Sequence, residues 1–365
     1  MAKRSILSIA LLLVCMSQIR AETWPGEDWP LALTSSSAAL QALETYAFPP
    51  RDEATRQGIR TDALVVIHDG QLIYERYAGA TTASTPHLSW SISKSLLATV
   101  MGVAFGQGLF QLSDPVARYY PAFGAHPQVR VEDLLHWASG LDWQEEYEYA
   151  PLHSSVVAML YTRGQGDMAA FTTAHATYSA PGQSFRYSSG DSNVLSAALR
   201  GMLGSSRYAD FPWQALFEPL GIHSAVWETD ASGTYVASSY AYMSARDLAR
   251  VGLLMLRDGR WQQRQLLPAN WVAFNRTPFI HATLEPGEAM PGGHWWLNKP
   301  PTAAPRPWPD APSETFAALG HWGQALYILP EEKLVVVRYA DDRDGSFSHN
   351  ELLKHAMAAF AGGRP

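Results

Sequence analysis

The chain has 365 residues, 47% of them apolar and 17% charged, which excludes a disordered polymer and leaves ample length for a real core. A formal net charge of −7, with no basic patch interleaved with aromatics, excludes nucleic-acid binding by charge. One cysteine excludes a disulfide framework.

At the start of the chain, Lys3 and Arg4 precede the apolar run Ile6 to Met16, and Ala21 offers a small residue for cleavage. Residues 1–21 read as a secretory signal peptide, too short to span a bilayer. Ile19 departs from the small residue usual at its position, and Cys15 after Val14 fits a lipid-attachment site poorly. Cleavage removes Lys3, Arg4, Arg20 and the cysteine but no acidic residue, so the net charge becomes −10. The expectation is a periplasmic or secreted protein without stable membrane insertion, its mature domain being residues 22–365.

Leu64 to Ile67, Asp69-Gly70 and Leu72 to Tyr74 predict a β-hairpin. Leu96 to Phe105 is apolar almost all round and predicts a central buried helix, stopped by Gly106 and Gly108. Asp114-Pro115 reads as an N-cap followed by proline in a first turn. From about 110 to 260, helical segments alternate with Gly- and Ser-rich loops. Among them Ser244-Ala245-Arg246-Asp247 reads as a capping box before Leu248 to Leu256. Strand character returns at Ala325 to Leu329 and Leu334 to Tyr339, and an amphipathic helix closes the chain at about 351–360. The Pro-rich stretch from Lys299 to Pro312 is a surface loop, a flap or a plain spacer. Strands at both ends with helices between predict a sheet subdomain (about 60–105 and 260–365) and an inserted helical subdomain (about 106–259). A groove between them is the natural place for a site.

Three segments carry candidate chemistry. Ser91-Ile92-Ser93-Lys94 sets a hydroxyl and an amine one helical turn apart; of the five lysines, Lys94 alone has a serine three residues before it. A lysine away from water can accept a serine proton, although an N-cap serine and a solvated lysine give the same text. Pro181 to Asp191 is a turn with Tyr187 at its exit, where a phenol beside an ammonium would ionise more easily. Gly320-His321-Trp322-Gly323-Gln324 leads straight into a strand. For Tyr187 and His321 a core or turn position is the alternative. Glu145, Glu146 and Glu148 form an acidic loop that is either solvated or supplies a group to activate water. The twelve histidines show no H-E-x-x-H or i, i+4 pairing, so a metal has little support. Gly164-Gln165-Gly166 lacks the strand a nucleotide loop needs, and the absence of G-x-S-x-G argues against an α/β-hydrolase.

Taken in order, these segments resemble the motifs of β-lactamase-related, penicillin-recognising serine hydrolases. That family comprises class C β-lactamases, DD-peptidases, and their esterase and 6-aminohexanoate-oligomer hydrolase relatives. Ser91 to Lys94 is similar to the first motif, Tyr187-Ser188-Ser189 to Y-x-N, and His321-Trp322-Gly323 to K-T-G. Supporting text lies at 112–115, 134–141 and 242–248.

The resemblance implies an α+β, β-lactamase/transpeptidase-like fold: an antiparallel sheet from both termini, flanked by helices, with an inserted mainly helical domain. It implies Ser91 as nucleophile, Lys94 as its base or proton relay, and Tyr187 as the acid/base group for leaving group and water. The oxyanion hole would be the N–H groups of Ser91 and Gln324, with Ser189, His321, Trp322 and Gly323 binding substrate. No cofactor or metal is implied. Ser189 replaces the asparagine of the second motif and Trp322 the hydroxyl residue of the third, which favours the esterase and amide-oligomer branch. The expected function is an exported hydrolase of small esters or amides, with an acyl pocket lined by Trp295 and Trp296. The alternatives are a β-lactamase or DD-carboxypeptidase, a covalent sensor without turnover, and a noncatalytic scaffold.

Overall fold

The computed structural model describes residues 22–300 and 305–361. The signal-peptide reading of residues 1–21 and the middle of the Pro-rich stretch lie outside the described residues.

Helix α1 (Ala38–Ala47) precedes strands β1 (Thr61–His68) and β2 (Gln71–Tyr77). The turn between them places both Asp69 and Gly70 at positive φ (47° and 85°), the backbone twist that an Asp-Gly hairpin favours. A short strand β3 (His87–Leu88) leads into α2 (Ile92–Gly106), whose first thirteen residues are buried. After α2, Asp114 does not cap a helix. Pro115 opens only a 3₁₀ turn, and the Asp114 carboxylate accepts instead from the Gln111 N–H and the Tyr119 hydroxyl.

The helical lobe contains α3 (Val131–Leu135), α4 (Ser155–Tyr161), α5 (Met168–Thr173) and α6 (Ser189–Leu203). Strands β4 (Val226–Trp227) and β5 (Ala241–Met243) join β3 in a small sheet. Helix α7 (Ala245–Leu256) begins as expected, with Ser244 Oγ accepting from the Asp247 N–H. The other half of the box is tertiary. Asp247 accepts from the backbone and hydroxyl of Ser224, and the Ser224 hydroxyl takes the Ser244 N–H. Although α7 lies within the helical stretch of the sequence, it packs on the large sheet: a Cβ at Gly252 would meet Val335 at 2.4 Å and Leu326 at 2.8 Å.

Helix α8 (Ala269–Asn275) is followed by β6 (Met290–Pro291), β7 (Trp296–Leu297), β8 (Phe316–Gly320), β9 (Gln324–Leu329), β10 (Leu334–Ala340) and α9 (His349–Phe360). The seven-stranded antiparallel sheet runs β2-β1-β10-β9-β8-β7-β6, so strands from both ends of the chain lie side by side at its centre. Period-two alternation splits its side chains between two cores. Val65, Ile67, Leu326, Ile328, Val335 and Val337 face α2 and α7. Leu64, Val66, Tyr327, Leu329 and Val336 face the side covered by α1 and α9.

Strand β8 was not anticipated, because Ala317 and Ala318 have weak strand propensity; its ladder with β9 makes it a strand. The Pro-rich stretch is tied down where it is described. Asn298 donates to the carbonyls of Trp308, Ala311 and Pro312, and Trp308 is buried. No described helix is long and apolar enough to cross a membrane.

Candidate active site

Ser91 occupies the N-cap of α2 in a helical conformation, preceded by Trp90 at φ 48°. Strand β5 anchors this junction: the Ser89 N–H donates to Ala241 O at 2.9 Å, and the Ala241 N–H donates to Ser93 Oγ at 3.0 Å. The Ser91 hydroxyl makes no capping bond. It accepts instead from Lys94 Nζ at 2.9 Å, and Lys94 also donates to Ser238 O at 2.8 Å. Lys94 is 1% exposed, so it is not a solvated surface lysine. Burial pushes its pKa down to about 8, with the charge of Glu145 opposing.

Tyr187 leaves its turn with the ring beneath Lys94, whose Nζ lies 4.9 Å from the ring centroid. Trp137 packs edge-on against it at 4.9 Å and Trp296 at 5.4 Å. The phenol departs from expectation in sign. Burial and the Glu145 charge raise its pKa above the ordinary value, and the Ser91 hydroxyl offsets this only in part. It therefore holds its proton and is suited to give one. Trp296 borders this cluster. Trp295 does not: it is fully buried and packs on Phe316, so the expected pocket pair is reduced to one.

Segment 320–324 turns between β8 and β9. Gly320 comes so close to the Ser91 junction that a Cβ would sit 2.5 Å from Ser89 O. The His321 ring meets Trp90 at 5.8 Å and Trp322 at 4.7 Å. Trp322 has φ 58° and carries the Arg343 guanidinium 3.9 Å over its ring. Gly323, at φ 83°, has no room for a side chain beside Asp342 and Arg338. Arg338 donates to Gly323 O and pairs with Asp342, whose N–H donates to Trp322 O, so a buried ion pair holds the turn.

Gln324 follows the turn directly. It opens the interior strand β9, opposite Gly320, with its buried amide bonded to His321 O and to both backbone groups of Ala340. The strand end that approaches the Ser91 junction is Gly320.

Ser189, the residue in the place of the second motif's asparagine, is engaged within the protein. It is fully buried at the first turn of α6, and its hydroxyl donates to Glu145 at 2.5 Å while its N–H donates to the same carboxylate at 2.9 Å. Trp143 Nε1 adds a third bond to Glu145 at 2.5 Å. Ser189 thus faces a carboxylate, not open space. The acidic loop is accordingly not simply solvated: Glu148 pairs with His321 Nε2 at 2.9 Å, and Tyr147 stacks on the His321 ring at 5.0 Å. Burial lowers the His321 pKa, opposed by Glu148.

His294 went unnoticed in the sequence. Fully buried behind Lys94, it bonds Leu135 O through Nδ1 and Ser192 Oγ through Nε2, and its ring stacks on Trp137 at 4.6 Å. Burial pushes its pKa down to about 3, so it stays neutral. The Gly292-Gly293 pair before it was the available signal, since a Cβ at either would strike the α8 end. Among the described residues no group of three or more His, Cys, Asp or Glu is placed to hold a metal. A cavity of about 690 Å³ on the helical lobe, lined by Arg130, Asp133 and Gln183 among others, borders none of the site residues.

Residues 40–359 match the family model described as Beta-lactamase. The chain is 27% identical over 324 residues to a 6-aminohexanoate-dimer hydrolase of Paenarthrobacter ureafaciens, covering 85% of this chain and 79% of that protein. Among solved structures it resembles EstCE1, described as a hydrolase with promiscuous acyltransferase activity (TM-score 0.68, 19% identity, 89% of this chain and 100% of that one). It also resembles the penicillin-binding protein from Bacillus halodurans (TM-score 0.63, 15% identity, 89% and 99%). The structural likenesses establish a common fold.

Proposed function

Because this chain belongs to the β-lactamase family and is a serine hydrolase, we propose that it cleaves small esters or amides through an acyl-enzyme on Ser91. The observation that carries this reading is the 2.9 Å contact between Ser91 Oγ and a lysine amine buried away from solvent. Lys94 in its neutral form takes the Ser91 proton as Oγ attacks the carbonyl carbon. The tetrahedral oxyanion is met by the backbone N–H groups of Ser91 and Gln324. Tyr187 then gives its proton to the leaving group and recovers it from the water that releases the acid. Trp137, Trp296 and His294 hold Tyr187 and Lys94 in place from behind.

Two features weigh against substrates gripped by a carboxylate, as in β-lactam recognition. Trp322 stands where the third motif carries a hydroxyl, and Ser189 is bonded to Glu145. Export to the periplasm or medium belongs to the same proposal and rests on the Lys3 to Ala21 pattern alone.

The test is hydrolysis of p-nitrophenyl butyrate by the mature protein beside Ser91→Ala and Lys94→Arg. Ser91→Ala is expected to abolish turnover. Lys94→Arg is expected to lower kcat by roughly 10²–10⁴-fold, because arginine keeps its proton. Equal rates in wild type and Ser91→Ala would overturn the nucleophile assignment, and substantial activity in Lys94→Arg would remove the base.

A further inference from the structure

The carbonyl that holds the Lys94 amine belongs to Ser238, and no ladder holds Ser238. It lies in the turn between β4 and β5, and neither its N–H nor its carbonyl enters a backbone–backbone hydrogen bond among the described residues. Side chains meet both groups instead. Lys94 Nζ donates to the carbonyl at 2.8 Å, and the N–H donates to Asn193 Oδ1 at 3.1 Å. Asn193 grips the same residue a second time, its Nδ2 donating to Ser238 Oγ at 3.3 Å.

An asparagine is an expensive choice at this position. Asn193 is 1% exposed on α6, and its Nδ2 otherwise reaches only the sulfurs of Met159 and Met168, at 3.4 and 3.6 Å. Those methionines belong to the small core built on Trp143 and Val156. Sulfur is a weak acceptor, so an apolar side chain here would avoid burying an amide. It could not, however, accept from the Ser238 N–H, and a buried N–H left unpaired is destabilising. Without Asn193 the turn must shift to find that N–H a partner, and the carbonyl of the same residue shifts with it.

The direction of that carbonyl matters to the chemistry. A neutral lysine amine has two N–H bonds and one lone pair. With one N–H directed at Ser238 O, the lone pair can face Ser91 Oγ, 2.9 Å away. A displaced carbonyl lets the amine rotate and puts an N–H where the lone pair is needed.

We infer that Asn193 is a positioning residue for Lys94, acting through Ser238 to aim the amine at Ser91. The assignment deepens the acyl-enzyme reading and rests on Lys94 as the base for its effect on turnover, though not for its effect on the Lys94 titration. The titratable groups around the amine are Tyr187 beneath it, Glu145 on the acidic loop and His294 behind it, and a substitution at Asn193 leaves all three in the chain.

The experiment uses Asn193→Ala, with Asn193→Val filling more of the space should the alanine variant not fold. Lysine labelled with carbon-13 at Cε is titrated by NMR in the chain beginning at Glu22, where only Lys94, Lys299, Lys333 and Lys354 contribute. The Lys94 signal is the one missing from Lys94→Arg. Its midpoint is expected to fall by about one pH unit, because the ammonium loses a charge-assisted acceptor. For p-nitrophenyl butyrate, kcat per phosphonate-titrated active site is expected to fall roughly ten- to a hundredfold. A role confined to stability would lower the thermal midpoint and the number of titratable sites but move neither readout. An unmoved Lys94 midpoint overturns the inference, whatever happens to kcat. A lowered midpoint with kcat within about twofold of wild type supports the positioning of Lys94 and removes Lys94 as the base.

Discussion

At Lys94 two effects oppose each other. Removal of the ammonium from water lowers its pKa to about 8, and the negative charge of Glu145 pulls the other way. For p-nitrophenyl butyrate, kcat/KM is expected to rise as pH passes through about 8, where Lys94 becomes a proton acceptor. In Glu145→Gln the ammonium loses its stabilising anion, so that limb of the profile moves to lower pH; a limb that stays put or moves upward would show that Glu145 does not act on Lys94. A second buried group, Asp191, has one oxygen bonded by Ser139 and Ser188 and the other without a partner. Burial raises its pKa to about 7 from an ordinary 3.8. The folded state therefore holds a proton that the unfolded chain has lost, and its stability contribution, complete below about pH 4, disappears as pH rises through about 7. Asp191→Asn is expected to flatten that decline, seen as a smaller fall in the denaturant midpoint between pH 5 and pH 8.

Among the elements, α7 and the 320–324 turn depend most directly on backbone contact. Gly252 brings α7 onto β9 and β10 with no room for a methyl group, since the obstructing atoms belong to buried Val335 and Leu326 rather than to flexible side-chain ends. Gly252→Ala is expected to cost about 1–3 kcal/mol, measured as a lower denaturant midpoint at unchanged slope. No loss of stability would show that α7 can lift from the sheet. In the turn, the anchor is the Arg338–Asp342 pair, which holds the Gly323 backbone two residues after His321. The resemblance to known motifs located this turn in the chain. The shape of the turn followed from β8, a strand with little propensity of its own, pairing with β9.

On the scale of the whole molecule, the segment from Glu22 to Thr34 straps β2 to α7 and the residues just after it. Trp24 lies between the Arg257 and Arg260 guanidinium groups, Trp29 is 5% exposed, and Arg250 donates to the carbonyls of Gly26 and Glu27. Leu31 and Thr34 extend the strap alongside β2. Deleting residues 22–33 is expected to lower stability by at least about 2 kcal/mol, from the exposure of apolar surface formerly beneath Trp29. A thermal midpoint equal to that of the chain beginning at Glu22 would show that the strap is decorative.

Local chemistry wrote several features directly into the sequence: the Asp-Gly hairpin, the apolar α2, the Ser244 cap, and the pairing of a serine with a lysine one turn later. Each depends on neighbours within a few residues. Glu145 could be named from the acidic loop but not separated from Glu146 and Glu148, because its distinction is a bond to Ser189, 44 residues away. His294 and the strand end at Gly320 were likewise decided by partners distant in the chain. The charge state of Tyr187 was decided in the same way: its neighbours were legible, but burial depends on everything packed around the ring. Residue types and short spacings thus determined which groups are available for chemistry. The tertiary structure decided which of them meet, because desolvation and hydrogen-bond geometry arise only when segments far apart in sequence close over one another.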